Sequence, residues 1–216
     1  MTGIVDYNAG NIKSLERALA FLGVPYFRSG KPAELEAADR LIFPGVGDAA
    51  YAMKSLSDAG LDSFLRDWIC ASKKLLGICL GSQIVFDYSE EGDVECLGLL
   101  KGSVRHFSSV IGADRLKESG LKVPHIGWNS MSFANGGCAL FDGVPSGSDF
   151  YFVHSYIIQP EDETVVKGYA DYGVRVPAAV EQGSITVFQF HPEKSGVPGL
   201  RLLRNFTAPD AEKQPC

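Results

Sequence analysis

The run Leu75-Leu76-Gly77-Ile78-Cys79-Leu80-Gly81-Ser82-Gln83 constrains this chain more than any other stretch. An apolar segment ending in a thiol between two close glycines has the steric form of a nucleophile elbow, where a strand turns sharply into a helix. The small residues admit the bend, lift the side chain off the sheet and leave N–H groups free to face a developing oxyanion.

The flanking pattern extends that requirement to an α/β fold. Gly3 to Tyr7 reads as a first strand, Asn8 to Asn11 as a turn, and Leu15, Ala18, Leu19 and Leu22 recur at helical spacing before Gly23 and Pro25. Strands are predicted near Pro25 to Arg28, at Leu41 to Phe43 and at Leu75 to Ile78, with helical material carrying Leu56, Leu61, Phe64, Leu65 and Ile69 between the last two. Such alternation calls for a mostly parallel sheet covered on both faces, with functional loops at the carboxyl ends of its strands.

The second half changes character. Leu99 to Phe107, Phe150 to Ile158, Thr164 to Tyr169, Ala178 to Val180 and Ile185 to Phe190 read as short strands between Gly, Pro and Asp turns. Leu200, Leu203 and Phe206 mark one C-terminal helix, and residues 208–216 read as a flexible tail. No internal repeat or linker divides the chain, so residues 1–207 are expected to share one core.

The formal net charge of −6 disfavours a general nucleic-acid binder. No apolar run approaches the roughly 18 residues of a membrane span, and the acidic, glycine-containing start does not resemble a secretory signal, so a cytoplasmic chain is expected. The cysteines are five, scattered and without a Cys-x-x-Cys pair, which favours reduced thiols over disulfides or a metal site.

A nucleophilic thiol needs a base, and the base an orienting group. Of the four histidines, His191 follows a β-prone segment and has Glu193 two residues on; if Pro192 keeps the chain extended, both side chains project to one side. A Cys79-His191-Glu193 triad is the resulting expectation, with His154, inside the alternating run Tyr151 to Tyr156, as the competing base.

Six ordered blocks then carry a resemblance over essentially the whole chain. They are Asp6-Tyr7-Asn8-Ala9-Gly10-Asn11, Phe43-Pro44-Gly45-Val46-Gly47, the elbow, Lys122-Val123-Pro124-His125-Ile126-Gly127-Trp128-Asn129, Tyr151 to Tyr156, and Gln189-Phe190-His191-Pro192-Glu193-Lys194-Ser195-Gly196. Together they resemble the class I, or triad-type, glutamine amidotransferases, and within that class the glutaminase subunits of imidazole glycerol phosphate synthase. The elbow and His-Pro-Glu pieces resemble the wide class; the Val-Pro-His-Ile-Gly-Trp-Asn and Pro-Glu-Lys-Ser-Gly pieces resemble the subunit. The alternative is a paralogous subunit feeding ammonia to a different synthase, such as a sugar-modifying one.

The resemblance implies a flavodoxin-like three-layer sandwich and hydrolysis of L-glutamine to glutamate through a thioester on Cys79, with no cofactor and no metal. It implies oxyanion donors from Gly45, Val46 or Gly47 and from Leu80; Pro44 has no N–H to give. It assigns Gln83, Glu91, Ser155 and Tyr156 to the glutamine pocket. Asn11, His125, Trp128, Asn129, Tyr151 and Lys194 are assigned to an interface with a separate (β/α)₈-barrel cyclase in a one-to-one complex for histidine biosynthesis. The chain departs from the family pattern at Ser82, where many relatives carry methionine, and at Asp48, where a small apolar residue is common.

Overall fold

The computed structural model describes residues 1–8 and 12–209. The interface candidate Asn11, most of the turn expected at residues 8–11 and residues 210–216 of the expected tail therefore lie outside the described residues.

In the first half, β1 (Thr2–Val5), α1 (Ile12–Phe21), β2 (Tyr26–Ser29), α2 (Pro32–Leu35), β3 (Arg40–Gly45), α3 (Ala49–Asp58), α4 (Leu61–Cys70) and β4 (Lys74–Cys79) follow one another. The elbow helix α5 (Leu80–Gln83) is one turn long, and β5 (Tyr88–Ser89), β6 (Val94–Glu95), β7 (Gly102–His106), α6 (Phe107–Ile111) and α7 (Ala113–Ser119) come next. The chain finishes with β8 (His125–Phe133), β9 (Ser148–His154), β10 (Tyr156–Pro160), β11 (Val166–Asp171), β12 (Arg175–Gln182), β13 (Ile185–Phe188) and α8 (Gly196–Thr207).

Nine strands form the central sheet in the order β2-β1-β3-β4-β13-β12-β11-β8-β9. Pairing is parallel from β2 through β13 and antiparallel from β13 to β9, so the α/β sandwich is built on a mixed sheet rather than a mostly parallel one. The reason lies in the connections. Helices link the early strands as parallel neighbours, whereas the short links of the second half return the chain antiparallel.

The central strands are buried on both faces. Leu41, Phe43 and Leu75 pack with Leu56 of α3 and Leu65 of α4, while the alternate residues Ile42, Leu76 and Ile78 pack with Leu15 of α1 and Leu203 of α8. The helical stretch expected from Leu56 to Ile69 divides at Gly60, whose φ of 67° is left-handed; glycine takes that conformation without the strain a side chain adds.

The run expected as one strand from Phe150 to Ile158 is two. The chain leaves the nine-stranded sheet after His154 and enters a second sheet, ordered β10-β7-β5-β6, at Tyr156. Ser155 thus sits where the two sheets meet. Strand β8 was not legible as a strand, because Gly127, Asn129 and Ser130 interrupt its β-prone residues.

Candidate active site

Cys79 closes β4 and turns into α5 with φ 54° and ψ −112°, a rare conformation for a residue with a side chain. The elbow holds because its neighbours lack Cβ atoms. One added at Gly81 would lie 1.9 Å from the Phe43 carbonyl oxygen, and one at Gly77 would lie 2.7 Å from that of Gly81. Ser82, where the chain departs from its family pattern, donates its hydroxyl to the Cys79 carbonyl at 2.5 Å and so braces the bend.

His191 follows β13 and comes back under Cys79. The expected extended link to Glu193 is a single 3₁₀ turn, Pro192–Lys194, because proline's fixed φ suits a first helical position. The turn brings Glu193 Oε1 to 2.7 Å from His191 Nδ1, with both side chains buried. Ser195 pins the turn to β9, donating to the His191 carbonyl at 2.6 Å and accepting from the Tyr151 N–H at 3.0 Å. The His191 Nε2 atom is buried and, among the described residues, without a hydrogen-bond partner. Burial by itself would lower the His191 pKa; the interactions with Cys79 and Glu193 outweigh it and push it up to about 10. The protonated His191 ring is the form this arrangement favours.

His154, the competing base, has both ring nitrogens occupied: Nδ1 lies 2.7 Å from the Tyr156 carbonyl and Nε2 lies 3.0 Å from His125 Nδ1. It touches the same cleft but has no free nitrogen to take a proton.

That cleft has a volume of ≈ 320 Å³ and is lined by Cys79, His191, Val46, Gly47, Leu80 and Gln83 together with Glu91, Ser155, Tyr156 and Lys194. It lies in the size range of small-molecule sites. Gly45 stands just behind it, paired with Cys79 across β3 and β4. Gly47 has a φ of +105°, so the loop after β3 depends on glycine. Glu91, which reads locally as an acidic surface turn, instead folds inward to accept from the Ala49 N–H at 3.1 Å. Burial raises its pKa, the bond from Ala49 opposes that rise, and Asp48 adds to it. Asp48 itself stays exposed and caps α3 by accepting from the Tyr51 N–H at 2.9 Å.

The class I glutamine amidotransferase family model matches residues 3–208. The chain belongs to the class I glutamine amidotransferases. It is 44% identical over 207 residues to the imidazole glycerol phosphate synthase subunit HisH of Herpetosiphon aurantiacus, covering 95% of this chain and 93% of the relative. It is 45% identical over 215 residues to the HisH subunit of Bacillus subtilis, covering 99% of each. Within the class, then, it belongs with the glutamine-hydrolysing HisH subunits of imidazole glycerol phosphate synthase. The fold agrees: a solved glutamine amidotransferase superposes with a TM-score of 0.72 over 96% of this chain and 99% of its own, at 19% identity.

The residues matched to an interface separate into two groups. Trp128 is 59% exposed, stands directly opposite Tyr151 across β8 and β9, and meets its ring edge-on at 6.1 Å. The Lys194 ammonium lies 5.8 Å from the Tyr151 ring centre. His125, by contrast, is 2% exposed and cannot be a direct interface contact. Successive strand residues point to opposite faces, so with Ile126 and Trp128 outward, His125 is turned inward. Asn129 lies half-buried, with its amide donating to the Asp171 carbonyl at 2.9 Å.

Sequence reasoning gave no role to Tyr7 or Gln189. The Gln189 Oε1 atom accepts from Gln83 Nε2 at 2.9 Å and thereby orients a pocket residue. The Tyr7 hydroxyl is buried against Gly45, whose Cβ would lie 2.2 Å from it, and has no hydrogen-bond partner among the described residues. Both stand inside the motif blocks, which were the available signal.

Proposed function

We propose that Cys79, His191 and Glu193 carry out the glutamine hydrolysis and that the ammonia passes to a separate (β/α)₈-barrel cyclase bound one-to-one. The observation that carries the reading is the buried 2.7 Å His191–Glu193 contact, on a histidine that lines the same cleft as Cys79.

The Cys79 thiolate attacks the side-chain amide carbon of glutamine. The Leu80 N–H at the start of α5, and an N–H of Gly45, Val46 or Gly47, receive the oxyanion. His191 Nε2 gives its proton to the departing ammonia, leaving a glutamyl thioester; it then takes a proton from the water that attacks the thioester and returns it to the sulfur as glutamate leaves. Glu193 holds the imidazole throughout. Glu91 supplies the counter-charge for the substrate ammonium, Gln83 shapes the pocket, and the Ser155–Tyr156 backbone meets the substrate carboxylate.

Trp128, Tyr151 and Lys194 form the docking face, with Ile126, 58% exposed, as a further apolar contact beside them. The working unit is one domain over residues 1–207, in the cytoplasm. Among the described residues no helix is long and apolar enough to cross a membrane.

The test is a paired assay of glutamate and cyclised product with the barrel protein present. Cys79→Ala should abolish glutamine-dependent synthesis and leave ammonia-dependent synthesis by the partner intact. Loss of both activities, or a partner that aminates a sugar, refutes the assignment. Lys194→Ala should weaken binding of the barrel protein; unchanged binding and unchanged stimulation of glutamine hydrolysis remove it from the interface.

A further inference from the structure

The two buried histidines outside the triad, His125 and His154, are not explained by hydrolysis. We propose that Asn129, His125 and His154 form a one-way hydrogen-bond chain that positions the Tyr156 carbonyl, and with it the Tyr156 segment lining the cleft, from the face that carries Trp128. The proposal rests on the assignment of Ser155 and Tyr156 to the glutamine pocket.

The direction of the chain follows from its two ends. The Tyr156 carbonyl can only accept, so His154 Nδ1, 2.7 Å away, carries a hydrogen and donates it. In a neutral ring Nε2 is then the acceptor, and its partner at 3.0 Å, His125 Nδ1, must donate. That leaves His125 Nε2 as an acceptor. Facing it at 3.3 Å is Asn129 Nδ2, which is fixed as the amide nitrogen because it also donates to the Asp171 carbonyl at 2.9 Å. Each donor finds an acceptor only if all three residues keep this polarity.

The packing holds the relay in place. The His125 ring is sandwiched between Phe152, with centres 4.8 Å apart, and Tyr172, with centres 4.0 Å apart, both nearly parallel to it. Such a slot fixes the plane of the ring and leaves its edges for hydrogen bonding. Burial lowers the pKa to about 4 for His125 and to about 3 for His154, so both rings are neutral where the chain needs them neutral. At the inner end, the Tyr156 carbonyl also receives Gln83 Nε2 at 3.4 Å, so the relay and the pocket residue converge on one atom. At the outer end, Asn129 is the strand neighbour of Trp128. A contact that moves β8 there acts on the carbonyl through three hydrogen bonds.

His125 and Asn129 are therefore positioning residues. Nitrogen-15 correlation spectra of the full chain at neutral pH should show both rings as the Nδ1–H tautomer; an Nε2–H or doubly protonated ring at either position overturns the proposal. In the complex with the barrel protein at saturation, His125→Phe keeps the stacking but has no ring nitrogens. It should raise the KM for glutamine about 3–10-fold, the worth of one lost hydrogen bond, with kcat within about threefold. His125→Gln retains one acceptor and one donor and should restore the KM to within about twofold.

An unchanged KM in the Phe variant, or equal losses in Phe and Gln, overturns the chain. If His125→Phe fails to fold, Asn129→Ala is the second arm and should raise the KM by the same factor; an unchanged value refutes the proposal. Gln83→Ala separates the two levels. An unchanged KM there refutes the pocket assignment itself, whereas a raised one beside a wild-type His125→Phe refutes only the relay.

Discussion

Replacing Gly81 by alanine tests the elbow by steric exclusion alone. The added Cβ would sit 1.9 Å from the Phe43 carbonyl oxygen and 2.9 Å from its carbon. Both are backbone atoms that cannot rotate aside, and Cβ contacts under 3.0 Å essentially never occur, so the elbow and β3 must separate by about 1 Å. Phe43 lies directly before the Pro44–Gly47 loop and Gly81 lies two residues after Cys79, so the proposed nucleophile shifts against its proposed oxyanion donors by a comparable distance. A misplacement of about 1 Å lowers catalysis about 100-fold. Overpacking of this kind costs about 1–3 kcal/mol, or roughly 2–12 °C in melting temperature for a domain of this size.

The assay measures kcat/KM for glutamine with the barrel protein saturating, alongside thermal unfolding. Gly183→Ala is the control. Its φ of +60° makes a side chain costly by about 1–2 kcal/mol, but nothing lies within 4 Å of its Cβ and it sits in the turn between β12 and β13. It should lose stability and keep activity. A Gly81→Ala enzyme with kcat/KM within threefold of wild type, or an equal loss of activity in both variants, refutes the steric account.

Two further outcomes follow from buried groups. Because the His191 pKa is raised from 6.5 to about 10, folding favours its protonated form. That stabilisation is complete below about pH 6.5 and is lost as pH rises toward 10, at up to about 1.4 kcal/mol per unit. Denaturant midpoints should fall over that window and fall less in Glu193→Gln; identical profiles contradict the coupling. Tyr7→Phe removes a buried hydroxyl that has no partner among the described residues and should raise stability by about 1 kcal/mol by calorimetry. A lowered midpoint would show that the hydroxyl is satisfied.

The elbow was legible because its chemistry is local: glycine, cysteine and glycine at fixed spacing after an apolar strand specify a bend whatever surrounds it. The His191–Glu193 pair was legible for the same reason, although the path between them was misread as extended, since a proline admits both conformations. The first four strands of the chain could be anticipated from alternation with helices. Most strands of the second half were legible too, but their antiparallel pairing was not, because β8 is too poor in β-formers to register and the break at Ser155 is invisible in a run as uniformly β-prone as Phe150 to Ile158.

Local spacing thus determined the bend at Cys79, the candidate His191–Glu193 pair and the fold class. Tertiary structure decided which way side chains on β8 point, and with that the fate of His125, which belongs to the interior and not to a docking face. A strand's facing depends on its register against its neighbours, and β8 acquires that register only by pairing with β9 and β11, the first formed after it and the second separated from it by more than thirty residues of chain.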